Sequence, residues 1–137
     1  MFLGIGDHMT AELKWLAFSI VLGLVHVFVA AGLATSQRGL GWNAGNRDGD
    51  PKPLTGPAAR AVRANANFLE TFPFFAAAVL ALCVAGRQTP HTAVAVQIYF
   101  WARLFYLPIY IAGIPYVRTV VWAVSLWGLL QAIEALF

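Results

Sequence analysis

Charge is what this chain has least of: 11% of its 137 residues are Asp, Glu, Lys or Arg, against roughly a quarter in a typical soluble domain. Hydrophobic residues make up 60% and the mean hydropathy is +0.70. A domain this small cannot hide so much apolar surface from water, so lipid is its expected solvent. Cysteine is scarce as well. Cys83 stands alone, which excludes an intrachain disulfide and a cysteine metal cluster; in its apolar run it reads as a packing residue rather than a reactive thiol. His8, His26 and His91 are scattered with no metal-ligand spacing, and no metal is expected. There is no Ser-His-Asp arrangement, no phosphate-cradling glycine loop and no internal repeat. The net charge of +3 is small and dispersed, with no basic cluster interleaved with aromatics, so no nucleic-acid partner is expected.

What remains is organised as four apolar stretches. Trp15 to Ser36 carries no charge and only His26 as a strongly polar group; at ~1.5 Å per residue it reaches about 33 Å, enough to cross the hydrocarbon. Asp7, Glu12 and Lys14 precede it, and its apolar run is longer than that of a signal peptide, so it is expected to stay in the protein. Met1 to His8 read as irregular, and Met9 offers an alternative start. The expected helices are residues 13–36, 58–86, 91–112 and 117–137, an all-α four-helix membrane bundle forming one domain over 1–137. A polar loop, 37–57, gathers Arg38, Arg47, Asp48, Asp50 and Lys52 with glycines and three prolines. Pro57 suits a helix start, and Pro73 removes a hydrogen bond inside the second helix and is expected to kink it. Arg38, Arg47, Lys52, Arg60, Arg63 and Arg118 lie on one side and Lys14 and Arg87 on the other. The positive-inside rule therefore puts the first and third loops in the cytoplasm and both termini outside it.

Polar residues inside these helices fall in stripes. Arg60, Arg63, Asn67 and Glu70 are spaced 3, 4 and 3 residues apart, within a sector of about 80° on one helix face. Tyr99, Arg103, Tyr106 and Tyr110 make a second stripe, and Arg118, Trp122 and Ser125 a third. Three such seams suggest faces turned toward one another. Glu70 and Arg103 are too deep to snorkel, and each charge at the bilayer centre costs ~2.5–3.5 kcal/mol or more. An ion pair between them is the expected solution. Arg60 and Arg63 lie near enough to the loop to reach phosphate headgroups. Arginine forks and an asparagine suit a small anionic ligand, and a glutamate suits one that also carries an ammonium group. Cationic neighbours would raise the thiolate fraction of a ligand thiol. The stripes alone do not name the ligand.

The run Arg60-Ala-Val-Arg63-Ala-Asn-Ala-Asn67-Phe-Leu-Glu70-Thr-Phe-Pro73 resembles the signature of the MAPEG family, the membrane-associated proteins in eicosanoid and glutathione metabolism. So does Ala102-Arg103-Leu-Phe-Tyr106-Leu-Pro-Ile-Tyr110. The resemblance, which covers nearly the whole chain, implies a homotrimer of four-helix bundles with glutathione as co-substrate, bound between subunits near the cytoplasmic side. It implies glutathione contacts at Arg63, Asn67, Glu70, Arg103, Tyr106, Tyr110 and Thr119, and a thiolate-stabilising catalytic role for Arg118. It is nearest to a bacterial-type branch, which implies the bacterial inner membrane. The chain departs from the family pattern at Ala66, where the eicosanoid enzymes carry another arginine, and at Tyr106, where some carry histidine. Trp122 and Thr119 stand where the pattern has tyrosine and serine, and the segment between Tyr110 and Arg118 is one residue shorter. Two functions stay open. One is a glutathione transferase or peroxidase acting on lipophilic electrophiles or hydroperoxides delivered from lipid. The other is a non-catalytic relative that binds a lipid headgroup or another anionic metabolite. A transporter subunit fits less well, since no inverted repeat is present.

Overall fold

The computed structural model describes residues 9–137; Met1, Asp7 and His8, and with them the irregular N-terminal stretch, lie outside the described residues. Five α-helices follow in order: α1 Ala11–Arg38, α2 Leu40–Ala44, α3 Gly56–Ala85, α4 Pro90–Ile111 and α5 Val117–Glu134. Their ends follow local chemistry. Thr10 caps α1, its Oγ1 accepting from the Leu13 N–H at 3.2 Å. Pro57 sits in the first turn of α3, and Gly86 ends that helix at φ 65°, a left-handed conformation that costs glycine little. Thr89 and Thr92 form a reciprocal capping box at the start of α4. α3 continues as one helix through Pro73, and α4 through Pro108.

α4 packs most extensively on α5 and α1 on α3, with α1 and α3 both also touching α4. Small residues allow the close approaches. Ala58, Ala61 and Ala64 form a fully buried row on α3. At Gly128 of α5, a Cβ would stand 2.8 Å from the Ala95 carbonyl oxygen and 3.0 Å from the Tyr99 nitrogen, so two helix backbones meet there. Aromatic rings fill the middle: Tyr99 stacks on Phe75 with centroids 3.9 Å apart, and its hydroxyl lies 3.1 Å from Thr71 Oγ1.

The outside is apolar. Phe18, Val21, Leu24, Phe28, Phe74, Leu80, Phe105, Val120 and Trp127 all point away from the bundle, which inverts the pattern of a soluble protein. α1, α3 and α4 are long and apolar enough to cross a membrane. The protein is an integral, multi-pass, all-α membrane bundle. α5, the fourth expected span, has 18 residues with Arg118 and Glu134 at its ends, and is not among the helices that meet those criteria. The expected loop holds one short helix, α2, which the sequence reading did not anticipate. Gly39, at φ 90°, turns the chain into it, and Asn43 Nδ2 ties it to Thr35 Oγ1 of α1 at 3.0 Å.

Buried polar groups away from the stripes are mostly satisfied. Glu12 is buried, and its Oε1 accepts from Thr92 Oγ1 at 2.6 Å, joining the first turns of α1 and α4. His26 and the Asn65 side-chain oxygen are exceptions. His26 is fully buried against Phe68, ring centroids 4.6 Å apart, and among the described residues neither ring nitrogen has a hydrogen-bond partner.

Candidate functional site

The three polar stripes meet, and they divide into a deep part and a shallow part. In the deep part Arg103 of α4 is 0% exposed. Its guanidinium is held between rings, 4.5 Å from the Tyr106 centroid and 5.3 Å from that of Phe68, an arrangement that offers cation–π attraction where no water can reach. Its Nη1 donates to Asn67 Oδ1 at 2.9 Å, while Nε and Nη2 have no hydrogen-bond partner among the described residues. The expected bond between Arg103 and Glu70 is therefore not formed within the protomer. Asn67 takes that place, and Glu70, one turn further along the same stripe, is exposed on the protomer surface. The stripe spans a sector wide enough to split: Asn67 is turned toward α4 and Glu70 outward.

In the shallow part Arg63 Nε donates to the Tyr110 hydroxyl at 3.2 Å, and the Arg118 guanidinium lies over the Tyr110 ring, 4.6 Å from its centroid. Tyr110 in turn stands edge-on to Tyr106 at 5.5 Å, which connects the two parts. Arg60, Arg63, Tyr110 and Arg118 line one cavity of about 180 Å³, closed at one end by the turn Gly113-Ile114-Pro115. Among the described residues, no carboxylate lines it.

The turn is built around Arg60. Arg60 Nε donates to the Ile111 carbonyl at 2.8 Å, satisfying an end of α4 that would otherwise be orphaned. A Cβ at Gly113 would stand 3.2 Å from the Arg60 Cζ, a close approach that the arginine can yield to, and the φ of +77° is what favours glycine there. Tyr116 follows at φ 63°, a conformation non-glycine residues seldom adopt, and it sets the entry of α5 two residues before Arg118.

Of the residues singled out from the sequence, Arg63, Tyr110 and Arg118 come together in the cavity, and Asn67, Arg103 and Tyr106 form the buried group behind it. Glu70 and Thr119 are exposed and belong to neither group in the protomer. Trp122 packs against the Tyr106–Tyr110 cluster with its indole nitrogen buried and unpartnered, and Ser125 donates to the Trp122 carbonyl. Arg60, which is near enough to the loop to reach headgroups, also lines the cavity; its place on the Arg63 stripe is the sequence signal for that position. Among the described residues, no three His, Cys, Asp or Glu side chains gather to hold a metal ion.

Three arginines and a tyrosine thus surround a small cavity with no acid in its wall among the described residues. Set against known proteins, residues 15–136 match the model of the MAPEG family. No curated protein matches the chain. No solved structure matches it.

Proposed function

From the premise that the chain belongs to the MAPEG family, we propose that it is a membrane-embedded glutathione transferase or peroxidase acting on lipophilic electrophiles or hydroperoxides. The observation that carries this reading is the convergence of Arg60, Arg63 and Arg118 on one cavity that no carboxylate of the described residues lines. Unneutralised guanidiniums at one point call for a ligand with more than one negative charge, and glutathione as a thiolate brings two carboxylates and a sulfur anion. Arg63, Asn67, Glu70, Arg103, Tyr106, Tyr110 and Thr119 are its proposed contacts or supports. Arg118 is the proposed catalytic group, its charge favouring the thiolate over the thiol.

In transfer, the thiolate sulfur forms a bond to the electrophilic carbon. A leaving group departs with its electron pair, or an activated double bond takes the pair and then a proton. In peroxide reduction the thiolate attacks the distal oxygen and releases an alkoxide that is protonated to the alcohol. A second glutathione then displaces water from the resulting sulfenic acid to give the disulfide. The lipophilic partner arrives sideways from the bilayer, so the apolar outer surface is part of the proposed mechanism.

A tripeptide is larger than the 180 Å³ that the protomer offers. Glu70, midway along α3, is exposed on the protomer, at a cost of ~2.5–3.5 kcal/mol if it faced lipid. Both observations support a homotrimer in which a neighbouring subunit completes the site. In the same reading α5 is the fourth span, the membrane is the bacterial inner membrane, and both termini are on its non-cytoplasmic side.

Purified protein given glutathione and a chromogenic electrophile is expected to show conjugation above the uncatalysed rate. Arg118→Ala is expected to lower kcat/KM by at least about a hundredfold, the usual scale for losing a group that stabilises developing anionic charge. Turnover no faster than background, in the presence of bound glutathione, favours the second reading, a non-catalytic relative that binds an anionic metabolite or headgroup. Thr119 turned outward and the buried Trp122 nitrogen favour that reading, because they leave Tyr110 as the hydroxyl at the cavity.

A further inference from the structure

Arg118 reaches Tyr110 across the turn that joins α4 to α5. Tyr110 is the last residue but one of α4, and Arg118 is the second of α5. The segment between them therefore fixes how the Arg118 guanidinium meets the Tyr110 ring, 4.6 Å from its centroid.

Two features of that segment are costly unless something holds them. In a continuing helix the Ile111 carbonyl would accept from the nitrogen four residues on, but that residue is Pro115, which has no N–H. Arg60 Nε takes the vacant place at 2.8 Å, reaching across from α3. The second feature is Tyr116, with φ 63° and ψ −52°, where the Val117 N–H bonds to the Pro115 carbonyl at 2.6 Å. This is the γ-turn with positive φ at its centre, the rare and strained form. The Tyr116 side chain is 84% exposed, so its own packing within the protomer does not hold the strain in place.

A strained residue persists only where its surroundings over-determine it. Among the described residues, the bond from Arg60 is the hydrogen bond that ties this backbone to α3. Without it the last carbonyl of α4 loses its partner and Tyr116 is free to relax to negative φ. α5 would then enter at another angle and carry Arg118 away from Tyr110. A guanidinium suits this task better than an ammonium, because Nε can bond the carbonyl while the rest of the planar group stays along the cavity wall.

We propose that Arg60 is a positioning residue for Arg118. Through the Ile111 carbonyl it holds the strained turn at Tyr116, and the turn holds Arg118 over Tyr110. Its effect on a bound thiol rests on the glutathione reading, in which Arg118 favours the thiolate. Its hold on the turn does not.

The test uses the full-length protein in detergent, in two arms. The first, without ligand, reads amide hydrogen exchange over residues 112–117, where the amides of Ala112, Gly113, Ile114 and Val117 are all bonded. Arg60→Met is expected to speed exchange there at least about tenfold. Arg60→Lys, which keeps the charge without a donor at the Nε position, is expected to do the same. Arg63→Met, which removes a charge from the same cavity, is expected to leave exchange as in the parent. Tyr116→Gly accepts positive φ without strain, so it is expected to restore at least half of the lost protection in either Arg60 variant. By itself Tyr116→Gly is expected not to lower the melting temperature. The second arm adds glutathione and follows thiolate ultraviolet absorbance against pH. Arg60→Lys is expected to raise the thiolate transition by about one pH unit, a tenfold loss of thiolate, and Tyr116→Gly to bring it back. Parent-like exchange in Arg60→Lys overturns the proposal. So does equal acceleration by Arg63→Met, or no rescue by Tyr116→Gly. A parent that shows no thiolate signal, with the first arm as expected, counts against glutathione and still supports the hold of Arg60 on the turn.

Discussion

Asn67 provides the single hydrogen bond made by the Arg103 guanidinium among the described residues, and a buried cation stripped of its partner bears the full desolvation cost. Asn67→Leu is therefore expected to destabilise the protein by ~1.5–3 kcal/mol, measured by thermal unfolding in detergent. Asn67→Asp, which supplies a counter-charge at the same distance, is expected to be tolerated. Equal stability of Asn67→Leu and the parent would show that the rings of Tyr106 and Phe68 alone hold the charge. Tyr110→Phe separates the two things that Tyr110 does. It removes the acceptor for Arg63 Nε but keeps the ring beneath Arg118, so glutathione binding should weaken by about tenfold without loss of fold, as followed by calorimetry. At this scale the sequence showed that Arg103 had to be paired inside the bundle, since its depth and its stripe were legible. Its partner was not. Asn67 and Glu70 are neighbours on one stripe, and the choice between them depends on how α3 and α4 are rotated about their axes. That rotation is set by ring stacking across the core, such as Tyr99 on Phe75, which local spacing does not encode.

Helix contacts in lipid depend on closeness, because apolar side chains gain little by leaving a solvent as apolar as themselves. Gly128 is where that closeness is greatest between α4 and α5. An added methyl there meets two backbone atoms of α4 at 2.8 and 3.0 Å, and backbone can yield only by moving the helix. Gly128→Ala is expected to cost ~1–3 kcal/mol in unfolding experiments in detergent, the usual penalty for overpacking. Gly32→Ala, facing open space on α1, is expected to be neutral or to stabilise by up to ~1 kcal/mol through helix propensity. Similar losses from both substitutions would refute a packing role specific to Gly128. The start of α3 was legible in the sequence because Pro57 suits a first helical turn. α2 was not, since its five residues include a glycine and are fastened by a tertiary bond from Asn43 to Thr35. The arginine cavity was only half legible for a related reason. Arg60 enters it because a turn with φ +77° at Gly113 brings the end of α4 within reach of its side chain.

On the scale of the whole molecule, the distribution of exposed residues separates two kinds of surface. Phe74 on α3 is 66% exposed and suits contact with acyl chains. Arg63, Ala66 and Glu70, also on α3, are exposed too, yet two of the three carry charge along a spanning helix. Lipid fits the first surface and not the second. If a second copy covers the stripe, as the proposed trimer requires, a spin label on Ala66→Cys should be shielded from membrane-dissolved oxygen. A label on Phe74→Cys should be freely relaxed by it. Both labels sit on one helix within two or three turns of each other, so differences in local backbone motion are small and the contrast reports on cover. Diluting the protein until native mass spectrometry finds only monomers should open the Ala66 position and leave the Phe74 position unchanged. Equal oxygen access at both sites in the undiluted protein would mean that the polar stripe faces lipid or water without a partner. The cavity of about 180 Å³ would then have to hold its ligand without help from a second copy, and the homotrimer reading would fall.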